Sequence, residues 1–88
     1  MDDPVVVDGV WIMMWRGRQV RLIERHVEIL VELVVRGETV SAGPRYEALV
    51  EAGFLVEQYG HWYAPSMVGR DFVMNGPLKR RAAMRLLG

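Results

Sequence analysis

The chain has 88 residues, of which 51% are hydrophobic, so it is long enough for one domain with a modest core and too apolar for a disordered segment. It contains no cysteine, which excludes a disulfide framework and the usual zinc-finger ligand sets and favours the reducing cytoplasm. The formal net charge is zero. This argues against strong nonspecific binding to DNA, because attraction to phosphates supplies most of that affinity.

The charges are distributed unevenly along the chain. Residues 1–10 carry acids and no base, whereas residues 77–88 carry bases and no acid. All but one of the 11 cationic side chains are Arg, which suits bidentate contacts with phosphate, guanine or carboxylate. A base-composition bias in the source genome explains the arginines equally well. The acidic start, Asp2-Asp3, is unlike a secretory signal, and the longest apolar run, Val10 to Trp15, is too short to span a bilayer.

The N-terminal segment predicts three short antiparallel strands. Val5 to Val7 precedes a turn at Asp8-Gly9, Val10 to Trp15 returns, and a turn at Arg16-Gly17 leads into Gln19 to Leu22.

The second of these strands is apolar on both faces. Trp11, Met13 and Trp15 share one face, and the three apolar residues that alternate with them share the other. We therefore expect cover on both sides, from the helical core and from a second body, for which a partner chain is one candidate. Because a chain this small buries little area alone, Trp11, Met13 and Trp15 are predicted to form a dimer or partner interface.

Residues 23–36 predict the longest helix. Its core stripe recurs at helical spacing, at Ile23, Val27, Leu30 and Val34. A row of glutamates at four-residue spacing faces outward and ends at Arg36, namely Glu24, Glu28 and Glu32. Gly37 supplies the C-terminal stop.

The second half of the chain predicts a short helix, a hairpin and two further helices. Pro44 suits a first helical position, Ser66 can cap a helix, and Asn75-Gly76-Pro77 ends one. In chain order we expect a strand over Glu38 to Ser41, a helix from Pro44 to Gly53, hairpin strands Phe54 to Gln58 and His61 to Ala64, a helix from Ser66 to about Met74, and a basic amphipathic helix over Pro77 to Leu87. This is an α+β domain over residues 1–76 with a basic C-terminal helix or tail over 77–88.

Two stretches carry a family resemblance. The segment Trp15-Arg-Gly-Arg-Gln-Val-Arg-Leu-Ile-Glu-Arg-His-Val-Glu-Ile-Leu, with the later Glu38-Thr-Val-Ser41, resembles the start of OmpR/PhoB-type winged-helix effector domains. The segments Leu49-Val-Glu-Ala-Gly-Phe-Leu-Val and Tyr63-Ala-Pro-Ser-Met-Val-Gly-Arg70 are similar to the wing of MarR-like regulators. The resemblance implies a small winged-helix DNA-binding domain with an N-terminal antiparallel sheet, a long first helix, a short recognition-type helix and a β-hairpin wing.

The chain departs from this pattern before the recognition-type helix. Only seven residues separate Gly37 from Arg45, too few for a helix and a turn, so the second helix of the helix-turn-helix is expected to be reduced or missing. In the short helix that follows, Glu47 and Glu51 face outward and would repel phosphate. Arg45, at its start, is the one predicted contact with the major groove or with phosphate.

Two further groups are candidate DNA contacts. The wing residues Tyr59, His61 and Trp62 are predicted to touch a minor groove or the backbone, and the alternative is a packed aromatic turn. Phosphates would be clamped by the basic C-terminal cluster, Lys79, Arg80, Arg81 and Arg85. A solvated helix face, or a surface for an acidic partner protein, would use the same basic residues.

The sequence contains no motif that indicates catalysis. The sequence has no Gly-rich phosphate loop and no recognisable nucleophile context. His26 is expected to be structural, and His61 with Glu57 lacks a third group for a metal site or an acid–base system. We therefore predict a non-enzyme without metal or cofactor.

These observations leave two hypotheses. The first is a small, transcriptional or phage-type regulatory protein that binds DNA as a homodimer through Arg45, the wing and the basic tail. The second is a protein-interaction module on a winged-helix scaffold. The basic tail and the wing favour the first hypothesis, which we take as the leading one. Zero net charge, the acidic recognition-type helix and the missing second helix favour the second.

Overall fold

The computed structural model describes residues 4–88, so the acidic residues Asp2 and Asp3 lie outside the described part. The predicted α+β class is confirmed: the described residues form four α-helices and two small antiparallel sheets. The first half comprises β1 (Val5–Val7), β2 (Val10–Trp15), β3 (Arg18–Ile23) and α1 (Glu24–Arg36). The second half comprises β4 (Val40–Ser41), a 3₁₀ turn (Pro44–Tyr46), α2 (Glu47–Glu51), β5 (Leu55–Gln58), β6 (Trp62–Pro65), α3 (Met67–Met74) and α4 (Lys79–Leu87).

Both predicted N-terminal turns are present. At each turn a residue with positive φ, Asp8 or Arg16, is followed by a glycine with positive φ. Two successive residues of this kind make the turn that matches the twist of a two-residue hairpin. The strands consequently pair in chain order, with Val7 opposite Val10 and Trp15 opposite Arg18.

The inner face of this sheet is covered by the chain itself. Met13 is only 2% exposed, and the ring of Trp15 meets that of Phe72 edge-on at 5.1 Å. The guanidinium of Arg81 lies 5.5 Å from the centre of the Trp11 ring. Helices α3 and α4 therefore provide the cover that the sequence analysis assigned to a partner. The reason for predicting an interface at Trp11, Met13 and Trp15 is removed.

Helix α1 forms the centre of the core. Its buried residues are Val27, Leu30, Val31 and Leu33, so the predicted stripe is correct in its middle, whereas Ile23 ends β3 and is exposed. Gly37 adopts the left-handed conformation and its N–H donates to the Leu33 carbonyl, as expected for a helix stop. No helix among residues 4–88 has the length and apolar character needed to cross a membrane.

The second sheet holds α2 beside the hairpin. Its strand order is β4-β6-β5, so the strand that precedes α2 pairs with the last strand of the hairpin. The predicted helix from Pro44 is divided into the 3₁₀ turn and the five residues of α2, and the described chain has no helix between Arg36 and Pro44.

The C-terminal helices close the same core. The Ser66 hydroxyl accepts from the Gly69 N–H at 2.9 Å, which confirms the predicted cap of α3. The C-terminal helix begins at Lys79 rather than Pro77, because a turn between the Gly76 carbonyl and the Lys79 N–H precedes it. Leu78 and Ala82 are each 1% exposed and belong to the core cluster.

Candidate nucleic-acid interface

The hairpin of β5 and β6, which we call the wing after the prediction, has an exposed aromatic tip. Tyr59 has φ 56° and Gly60 has φ 72°, the same two positive φ angles as at the N-terminal turns, in a loop of three residues rather than two. The side chain of Tyr59 is 90% exposed, and that of His61 is also exposed. The His61 carbonyl accepts from the Ala42 N–H at 2.8 Å. The end of β4 is thereby joined to the wing.

Trp62 lies on the outer face of the second sheet. It pairs across the strands with Ser41 on one side and Gln58 on the other, and opposed residues in antiparallel strands share a face. Trp62 is 45% exposed. Tyr63, one position further, faces inward, is 9% exposed and meets Tyr46 edge-on at 6.4 Å. The packed-turn alternative therefore describes Tyr63 but not Trp62 or Tyr59.

An open groove of about 600 Å³ lies between β4, the 3₁₀ turn and the wing. Its lining includes Arg45 and Trp62, so the structure brings together two of the predicted DNA contacts. The Arg45 guanidinium carbon lies 5.6 Å from the centre of the Tyr46 ring, and the side chain is exposed. Arg45 is in no ion pair among the described residues, so its charge is available to a ligand.

The outer surface of α2 is acidic. Glu47 and Glu51 are exposed, as predicted, and so is Ala48, whereas Leu49 is fully buried. Two carboxylates on so short a helix would repel the phosphates of a duplex if α2 entered a groove. An anionic ligand of α2 would have to approach from the side of Arg45 and the wing.

The predicted basic cluster is divided between two environments. Arg81 donates to Glu24 at 2.6 Å and lies 3.6 Å from Glu28, and Arg85 donates to Glu32 at 2.5 Å. Lys79 and Arg80 are exposed and make no ion pair within residues 4–88. No hydrogen bond or ion pair in the described part of the chain joins α4 to the wing.

The ion pairs shift the acidity of their members. The hydrogen bond from Arg81 lowers the pKa of Glu24, with smaller help from Trp11, against an opposing effect of burial. The hydrogen bond from Arg85 lowers the pKa of Glu32, and the same contact raises the pKa of Arg85. These groups are therefore charged in the folded protein and attract each other rather than an external ligand.

Sequence reasoning missed the acidic row of α1 as the partner of α4. A signal was present: Glu24, Glu28 and Glu32 are spaced by four residues, and so are Arg81 and Arg85, so two helices packed side by side can match these charges. The groove beside Trp62 was missed as well, because it joins positions that are distant in the sequence.

The described residues offer little for metal or acid–base chemistry. They contain no group of three or more His, Asp or Glu side chains that could hold a metal ion, and His26 is half-buried on α1. The side chains that stand out are four exposed ones, which we call the wing surface: Arg45 and Trp62, which line one groove, and Tyr59 and His61 in the hairpin loop. Comparison with protein-family models, with curated proteins and with solved structures finds no match to this chain.

Proposed function

We propose that this protein binds nucleic acid through the wing surface, as a small regulatory DNA-binding protein on a winged-helix-type scaffold. The observation that carries the proposal is the groove that Arg45 and the exposed Trp62 both line. A guanidinium supplies bidentate contact to phosphate or guanine. An exposed indole supplies a surface on which a base can stack or a contact in a groove. The pair can therefore bind both the phosphates and the bases of a nucleic acid.

The connection of α2 to the hairpin supports the winged-helix part of the proposal. The strand before α2 pairs with β6, and the Phe54 N–H that follows α2 donates to the Leu49 carbonyl at 2.9 Å. Helix α2 and the hairpin, which would be the recognition-type helix and the wing, are thus held together. Arg45 at the N-terminal end of this body would reach the ligand, while Glu47 and Glu51 would stay outside.

The role of α4 becomes smaller than the sequence suggested. Arg81 and Arg85 form ion pairs with glutamates of α1. Only Lys79 and Arg80 of this helix are therefore candidates for phosphate contacts. A small number of cationic contacts means a modest salt dependence, because each neutralised phosphate contributes about one unit to the slope of log affinity against log salt.

The proposal is tested by anisotropy titration of labelled nucleic acid at low and moderate salt with two arginine variants. We expect Arg45→Ala to weaken binding and to reduce the salt slope by about 1. Arg25→Ala is the matched control: Arg25 is exposed and in no ion pair within residues 4–88, and it lies near the start of α1, the helix end away from β4. Binding that is equally weakened by both variants, or no binding at low salt, would overturn the proposal.

A second candidate, a protein-binding surface for a second copy of this chain or for another protein, is favoured by one observation. The outer face of the N-terminal sheet carries the exposed apolar side chains Val5, Val7, Met14 and Ile23. These residues share a face, because Val7 and Ile23 both lie opposite Val10 and Val5 lies opposite Ile12. Exposed apolar patches of this kind often mark interaction sites. Light scattering of the protein and of Met14→Lys tests self-association: a dimer that becomes a monomer in the variant would support an interface at this face.

A further inference from the structure

We propose that the wing surface takes single-stranded nucleic acid, with an unpaired base stacked on Trp62 and the adjacent phosphate held by Arg45. This inference rests on the proposed function and narrows its ligand. Duplexes bury their base faces, whereas single strands offer them to aromatic side chains, and stacking adds to the attraction between cations and phosphates in such sites.

The turn at the wing tip points to a ligand for Tyr59. Residues with side chains seldom adopt positive φ, and Asn, Asp or Gly is the usual occupant of this turn position. Tyr59 adopts φ 56° although its side chain is 90% exposed, and it forms no aromatic pair or side-chain hydrogen bond among the described residues. The fold therefore gains little from a ring at this position, while an external base could stack on it.

The face that carries Trp62 is suited to a base. The neighbours of Trp62 across the strands are Ser41 and Gln58, both polar and exposed. Their hydroxyl and amide groups can donate to or accept from the edge of a base that lies against the indole. The groove beside it, lined by Thr39, Ser41 and Arg45, has room for the sugar and phosphate.

The same structure is poorly suited to a duplex. A duplex reader places a helix in the major groove, but α2 has five residues and exposes two carboxylates. Of the cations of α4, Arg81 and Arg85 are held by α1, so this helix offers only Lys79 and Arg80 to a phosphate backbone. A single strand requires fewer charges, because stacking supplies part of the affinity.

The test compares three labelled probes of one mixed sequence of about 12 nucleotides: single-stranded DNA, single-stranded RNA and the DNA duplex. Binding is followed by anisotropy and by quenching of tryptophan fluorescence. We expect both single strands to bind at least about tenfold more tightly than the duplex. A preference for one of the two single strands shows whether the ligand is DNA or RNA, because the sugars of the two differ only in the 2′-hydroxyl.

Two substitutions at Trp62 form a matched pair. Trp62→Val keeps a strand-forming residue but removes the stacking surface, and it should weaken single-strand binding by about five- to hundredfold. Trp62→Phe keeps a ring and should retain most of the affinity. Tyr59→Asn should also weaken binding while preserving the turn. Thermal unfolding of each variant checks that the domain is intact.

Three results would overturn the inference. Equal affinities of the Trp62→Val and Trp62→Phe variants would exclude stacking on this residue. Tighter binding of the duplex, still dependent on Arg45, would exclude a single strand but leave the proposed function standing. Binding of no nucleic acid, or of a peptide alone, would overturn both proposals.

Discussion

The guanidinium of Arg81 and the carboxylate of Glu24 lie 2.6 Å apart and join the last helix to the first. The Trp11 indole N–H donates to the same carboxylate, and Arg81 in turn lies over the Trp11 ring. One glutamate thus connects the N-terminal sheet, α1 and α4. This three-way contact adds to the burial of Leu78 and Ala82 in holding α4 against the domain, although its cationic residues suggested a tail.

The stability of the protein is expected to decrease in acid because of Glu24. Its pKa is lowered in the folded state, chiefly by the hydrogen bond from Arg81. Its contribution is therefore complete above the ordinary pKa of a glutamate and is lost as the pH falls through the lowered value. Glu24→Gln should lower the free energy of unfolding at about pH 7 and flatten its decline in acid, measured by urea unfolding at several pH values. Glu51→Gln, exposed and in no ion pair among residues 4–88, should keep the wild-type profile. The reverse pattern would contradict this assignment.

Neighbouring arginines on α4 should differ in their effect on stability. Arg81→Ala removes an ion pair and a contact with Trp11, so we expect a loss of about 1 kcal/mol in the free energy of unfolding. Arg80→Ala removes an exposed side chain without an ion pair in the described chain, and its effect should stay within about 0.5 kcal/mol. Urea unfolding measures both. Equal losses would show that the contact with Glu24 adds nothing to folding.

The local features of this fold follow from its sequence. Asp8-Gly9, Arg16-Gly17 and Tyr59-Gly60 are short-range turn signals, and each forms a tight hairpin turn in the structure. The stop at Gly37 and the cap at Ser66 depend on one turn of backbone and could likewise be predicted. The lack of a helix between Gly37 and Pro44 could be predicted because the segment has too few residues for a helix and a turn.

The packing of the helices against the first sheet could not be predicted in the same way. The contact of Trp15 with Phe72 and of Arg81 with Glu24 joins positions far apart in the chain. An apolar strand face indicates that it will be covered but not what covers it, which is why a partner was predicted where α3 and α4 lie. The groove at Arg45 and Trp62 depends on the pairing of β4 with β6, for which Val40-Ser41 alone is too short a signal.

Gly69 should be the glycine least able to accept a side chain. A Cβ atom at this position would lie 2.1 Å from the backbone carbonyl oxygen of Phe54, and the backbone cannot move aside without disturbing the core. We expect Gly69→Ala to reduce the free energy of unfolding by about 2 kcal/mol or more. Gly43→Ala is the control, because its backbone is extended and the nearest atom is 4.0 Å away. Urea unfolding should show little change there, and a tolerated Gly69→Ala would contradict the close packing of α3 on Phe54.

Tyr59 should destabilise the wing through its positive φ, and Tyr59→Asn should make the protein more stable to urea. Asn tolerates positive φ better than Tyr, and the exposed ring of Tyr59 makes no aromatic pair that would be lost in the described structure. We expect the variant to unfold at higher urea, with a gain of up to about 1 kcal/mol. Gly60→Ala, at φ 72°, should produce a loss of about 1 kcal/mol, since alanine is strained in this conformation. A stability loss in Tyr59→Asn would show that the ring supports the fold. A gain in stability together with weaker binding of single strands would mean that Tyr59 contributes to ligand binding and destabilises the turn.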